Sequence, residues 1–155
     1  MTAGAVKFRG FKLLGIALAA AIGFAGMAGL SQAQTDVIKQ RQADMKANGA
    51  SMKAINGILE ANGPAADVAA EATKIHEKAM EIATLFPAGS DQGDTKAKPE
   101  IWQTPDDFAA KLKALQDESA MLVTAANGGD MMVVKAQYEK LGGTCGGCHK
   151  VYKNK

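Results

Sequence analysis

The chain has 155 residues, 47% of them hydrophobic, 22% charged and only 5% aromatic, a balance that suits one globular domain and excludes a long disordered or collagen-like chain. Eighteen Lys and Arg against sixteen Asp and Glu leave a formal charge of +2, too small to expect a nucleic-acid partner. The two cysteines lie close together near the C-terminus, where they could staple almost nothing, so their purpose is chemical.

Lys7, Arg9 and Lys12 precede an apolar run that continues to Leu30 without an acidic residue, the pattern of a cleavable export signal. Ser31-Gln32-Ala33 offers small residues at the two positions a signal peptidase inspects. Cleavage is therefore expected after Ala33, with residues 1–33 as signal peptide and residues 34–155 as the mature, exported domain. Gly15, Gly23, Gly26 and Gly29 weaken the run as a retained anchor, so no membrane span is expected in the mature protein. Removing three of the eighteen basic residues and no acid leaves fifteen against sixteen, a net charge of −1.

In residues 36–61, Ile38, Arg41, Met45, Asn48, Met52, Ile55 and Leu59 step by three and four, one stripe on a helix. Thr35 can cap its start, and Asn62-Gly63-Pro64 should end it, with Gly63 taking the left-handed turn. Val68, Ala72, Ile75, Ala79, Ile82 and Phe86 form a second stripe, broken at Pro87-Ala88-Gly89-Ser90. A loop without either period follows. Thr104 as N-cap, Pro105 at the first helical position and Asp106 with Asp107 in the first turn announce a third helix. Its inner face is Phe108, Leu112, Leu115, Ser119, Leu122 and Ala126, and Asn127-Gly128-Gly129 stops it. Asp130 can cap a fourth helix whose stripe is Val134, Tyr138, Leu141, Cys145, Cys148 and Tyr152. No segment alternates long enough for a sheet. The fold class is therefore all-α, an antiparallel four-helix bundle behind a cleavable signal peptide.

Cys145-Gly146-Gly147-Cys148-His149 carries the C-x-x-C-H signature of covalent c-type haem attachment. On a helix the two thiols lie nearly one turn apart on one side and can form thioethers with the vinyl groups along one porphyrin edge. His149, beside them, can place a ring nitrogen on the iron. A thiol-disulfide enzyme would set C-x-x-C after a strand; a zinc site would need two further ligands, and His76 is the sole other histidine. On the first helix, Arg41 and Met45 are four apart and share a face. An Arg in an apolar seam calls for a buried anion, such as a haem propionate. Met45 could direct its sulfur at the distal side of the iron, though a gap-filling role is the ordinary one for such a residue.

Over the whole mature region the chain resembles the class II c-type cytochromes, the cytochrome c prime family. The resembling segments are Ile38-Lys39-Gln40-Arg41-Gln42 with Met45-Lys46-Ala47-Asn48-Gly49, Lys98-Pro99-Glu100-Ile101-Trp102, and Leu141-Gly142-Gly143-Thr144 before Cys145 with Tyr152-Lys153 after His149. Cytochrome c′ is itself a standard example of the up-down-up-down bundle, so that topology comes from the resemblance. The family divides on its distal residue. In one branch the iron is five-coordinate and high-spin and binds nitric oxide or carbon monoxide for protection or sensing. In the other a first-helix Met completes a low-spin centre. The Met-Lys-x-Asn-Gly run is more similar to the low-spin branch, with Met45 on the matching position.

The resemblance implies a periplasmic monohaem electron carrier: haem c held by Cys145 and Cys148, iron between His149 and Met45, and Arg41 on a propionate. It implies redox partner proteins and frequent homodimers through the first two helices. No general base, nucleophile or substrate pocket can be read from the sequence, so turnover of an organic substrate is not expected. Lys153 stands where relatives often carry a basic residue near the proximal face. Trp102 should plug the loop against the bundle or the haem edge, and His76 should be a non-ligating, partly exposed side chain. Lys135, Lys140, Lys150, Lys153 and Lys155 form a basic group that could steer an acidic partner.

Overall fold

The computed structural model describes the backbone of residues 25–155 and the side chains from residue 33 onward. Residues 1–24 of the leader expected over residues 1–33 lie outside them. Five helices follow in order: α1 (Ala25–Glu60), α2 (Ala65–Ile82), α3 (Glu100–Gln103), α4 (Pro105–Gly128) and α5 (Met131–Tyr152). The four long ones are the bundle; α3 is a single turn inside the loop that joins α2 to α4. No described helix is long and apolar enough to cross a membrane.

The stripes of α2 and α4 are buried as their periodicity requires. Val68, Ala72, Ile75, Ala79 and Ile82 face inward from α2, and Phe108, Leu112, Leu115, Ser119, Leu122 and Ala126 from α4. On α1 the inner stripe is more polar than expected, because Asp44 and Ser51 join Arg41 and Asn48 in being buried. The helices pack in chain order: α1 lies against α2, α2 against α4, and α4 against α5, whereas α1 and α5 scarcely touch. One seam of the bundle is thus left open.

Helix ends differ from expectation in three places. α1 runs unbroken through Ala33, Gln34 and Thr35, so Thr35 is interior to the helix and does not start it; the Ala- and Gln-containing stretch ahead of it has no proline to interrupt the helix. The left-handed residue that closes α1 is Asn62 (φ 49°), and Gly63 is not in that region. Gly63 N–H donates to Ile58 O at 2.8 Å and Asn62 N–H to Leu59 O at 3.3 Å, the paired bonds of a Schellman ending. A Cβ at 63 would meet Ile58 Cγ2 at 3.0 Å, so any larger residue there would push that side chain aside by a few tenths of an ångström. At the start of α4, Thr104 occupies the cap position without making the cap bond. Its hydroxyl donates back to Glu100 O at 2.9 Å, since the turn of α3 puts that carbonyl within reach. Asp130 does cap α5, accepting from Met132 N and Val133 N.

The core has two parts. The larger joins Ile55, Val68, Ile75, Leu115, Leu122, Val134 and Leu141 with the small alanines of α2. The smaller is Ile82, Ile101, Phe108, Leu112 and Tyr152, against which Met45, Phe86, Trp102 and Cys148 pack. Phe86 belongs to the turn beyond α2, which ends at Ile82.

The ending of α1 gives a test by sign. Asn62→Gly should leave stability unchanged or slightly raised, while Asn62→Ala should cost about 1 kcal/mol, because a Cβ without a hydrogen-bonding side chain is penalised in the left-handed region. Urea unfolding midpoints at constant m-value measure both.

Candidate functional site

Glycines 142, 143, 146 and 147 fall in the second half of α5, each weakening a helix by roughly 0.5–1 kcal/mol relative to alanine. The helix continues through them because its end is tied down. Lys98 N–H donates to Tyr152 O at 3.0 Å and Asn154 N–H to Lys96 O at 2.8 Å, around an antiparallel bridge between Ala97 and Lys153. Tyr152, 3% exposed, donates its hydroxyl to Asp107 Oδ2 at 2.6 Å and lies 2.8 Å from Thr104 Oγ1. Its ring meets Phe108 edge-on at 5.1 Å between centroids. The turn that carries His149 is thereby fixed to both α4 and the loop.

Where α1 and α5 part, they leave a cleft of about 430 Å³, within the usual size of a cofactor pocket. α1 lends it Arg41 and Met45, α5 lends it Cys148, His149 and Tyr152, and Phe86, Ile101 and Phe108 form its apolar wall. Four of the five residues singled out from the sequence therefore meet in one place. The fifth, Cys145, is not among the residues lining the cleft; half-buried, it packs against the larger core one turn away.

Arg41 is 4% exposed. Its guanidinium donates to Leu85 O at 3.2 Å, Ser90 Oγ at 3.3 Å, Ser90 O at 3.0 Å and Thr95 Oγ1 at 2.7 Å. It also stacks 4.6 Å from the Phe86 ring centroid. All of these partners are neutral, and burial pulls the guanidinium below its ordinary pKa. Among the described residues no carboxylate pairs with it. A buried cation without a counter-charge beside a cleft suits an anionic group in that cleft.

Burial also raises both thiols, Cys145 in direction and Cys148 to about 11. A redox-active C-x-x-C needs the opposite shift, since the thiolate is its nucleophile. His149 is moved down by burial and by the charge of Lys153, which favours the neutral imidazole that a metal requires. No group of three or more His, Cys, Asp or Glu able to hold a metal ion exists among the described residues, so a zinc site has no ligand set. His76 lies elsewhere, with Nδ1 3.1 Å from Ser119 Oγ and 3.2 Å from Gln116 O.

The donor set fits a haem. Two thiols one turn apart, a neutral imidazole next to them, a thioether on the facing helix and an uncompensated guanidinium match its vinyl edge, its iron and a propionate. Trp102 does plug the loop, its indole N–H donating to Phe86 O and Pro87 O at 3.1 Å each. Of the expected basic group only Lys153 lines the cleft, joined there by Lys46 and Lys96. Lys46 lies in the same helical turn as Met45 and was legible in the sequence. Lys96 was not, because the loop that brings it has no period.

Comparison with known proteins identifies the family. The family model described as Cytochrome C′ matches residues 36–153. A cytochrome c-556 of Agrobacterium tumefaciens (strain II Chrys) is 37% identical over 123 residues, covering 76% of this chain and 97% of that protein. Cytochrome c-554 of Cereibacter sphaeroides is 40% identical over 74 residues, 46% of this chain; the chain spans about half the length of that relative, 48%. The solved cytochrome c prime from Shewanella frigidimarina superposes with a TM-score of 0.74 at 34% identity, covering 79% of this chain and 97% of that one. A match this complete over the bundle makes the chain a member of the cytochrome c′ family, a monohaem class II c-type cytochrome with one covalently bound haem c.

Proposed function

We propose that the protein carries single electrons in the periplasm, with its haem iron between His149 and Met45. The convergence of Arg41, Met45, Cys148 and His149 on one cleft between α1 and α5 is the observation that supports this reading most directly. When bound, the haem supplies a one-electron ferric/ferrous couple. Cys145 and Cys148 anchor it by thioethers, and the pinned end of α5 orients the His149 ring. Met45 presents a neutral, polarizable sulfur from the facing helix, which favours a low-spin centre with little reorganisation between oxidation states. Arg41 neutralises a propionate. The export signal at residues 1–33 supports the compartment.

Optical and electron paramagnetic resonance spectra of the purified holoprotein test the ligand pair. Low-spin spectra are expected in both oxidation states, and Met45→Ala should turn them high-spin and admit carbon monoxide. High-spin spectra left unchanged by Met45→Ala would reject Met ligation and favour the gas-binding alternative, in which the sixth position is open.

Arg41→Met should lower the reduction potential by tens of millivolts, because removing a buried positive charge stabilises the ferric form. It should also lower stability by about 2–4 kcal/mol, since the loop loses charge-assisted bonds and a guanidinium stack. Potentiometry and thermal unfolding read the two effects separately.

A further inference from the structure

Three lysines from three different elements stand around the mouth of the cleft: Lys46 on α1, Lys96 in the loop before α3, and Lys153 just past α5. All three are exposed. None takes part in an ion pair among the described residues, whereas Lys74, Lys78, Lys111 and Lys113 do. Asp94 is the single acid lining the same opening. Residues 34–155 carry a net charge of −1, so this positive rim is not a sample of the whole surface. The bridge between Ala97 and Lys153 and the bond from Asn154 N–H to Lys96 O fix the backbone that carries Lys96 to the backbone that carries Lys153. The buried charge, Arg41, already has a use in holding the loop and facing the cleft.

We infer that this rim is the docking surface for the acidic face of a redox protein, so that electrons enter and leave through the cleft mouth between Lys46, Lys96 and Lys153. The inference rests on the electron-carrier reading. It keeps Lys153 from the lysine group read from the sequence and leaves out Lys135, which lies fourteen residues before His149 on α5, about 20 Å along the helix. A cluster of like charges at the electron port raises encounter rates with anionic partners and makes them salt-dependent.

The test uses the reduced holoprotein in stopped flow with two small oxidants of opposite charge, hexacyanoferrate(III) and tris(phenanthroline)cobalt(III), across ionic strength. The rate with hexacyanoferrate should fall as salt rises. The triple variant Lys46→Glu/Lys96→Glu/Lys153→Glu should slow it roughly tenfold or more at low salt and speed the cationic reagent. The triple Lys→Gln variant should show a smaller change of the same sign, and Lys135→Glu should leave both rates nearly unchanged. Rates indifferent to the triple reversal would overturn the docking surface while leaving the carrier reading intact. A wild-type protein that exchanges electrons with neither reagent would instead defeat the carrier reading. Binding to phosphatidylglycerol vesicles that the triple variant abolishes, with reagent rates unchanged, would assign the rim to a membrane surface and overturn the proposal.

Discussion

The buried guanidinium of Arg41 is the constraint from which the rest of the site follows. Taking a charge out of water costs several kcal/mol, and four hydrogen bonds to neutral acceptors with a ring below offset much of that cost. Those acceptors are Leu85, Ser90 and Thr95, so the same bonds that solvate the charge fold the segment after α2 onto α1. Residues 96–98 follow directly and pair with 152–154. One arginine on the first helix thereby helps to place the last turn of the final helix, and with it His149.

The buried face of α1 is polar where it meets α2 and the loop after it. Its buried stripe holds Arg41, Asp44, Asn48 and Ser51, which offer little apolar area for a neighbour to cover. Asp44 instead turns to α2, 3.3 Å from Lys78 Nζ, and accepts from Gln40 Nε2 at 3.0 Å. α1 is held by polar contacts on the α2 side and by Ile38 and Ile55 to either side of them, with Met45 left at the edge of the cleft.

Much of this was legible from periodicity alone. α2 and α4 each expose one continuous inner face to both neighbours, so spacing of three and four decides their burial, and every residue of the α4 stripe is buried. What spacing did not reveal was made by partners distant in sequence. Thr104 looked like a cap and became a contact of Tyr152 because the turn of α3 forms ahead of it; Asn62 took the left-handed turn because a Schellman ending puts that conformation one residue earlier than Gly63. The pairing of the loop with the C-terminal tail has no local signature, since neither segment alternates. The site residues themselves were readable as a set, but the separation of Cys145 from the cleft was not. Cys145 and Cys148 are three residues apart, about 60° around a helix and about 4.5 Å along it, and one packs against each core.

The scarcity of aromatic residues gains a meaning from their distribution. After residue 33 the chain has Phe86, Trp102, Phe108, Tyr138 and Tyr152, and four of these five belong to the smaller core beside the cleft. Their rings meet in sequence, Trp102 with Phe86 at 6.3 Å, Phe86 with Phe108 at 4.7 Å, and Phe108 with Tyr152 at 5.1 Å. The larger core takes only Tyr138, at its margin, and otherwise packs Ile, Leu and Val against alanines. Rigid flat groups are thus reserved for the one wall that must keep its shape beside a flat cofactor, where flexible side chains would collapse inward. Arg41 stacks on the second ring of this row and Tyr152 closes it under His149's own helix, so the charged clamp and the histidine-bearing turn share one stiff support.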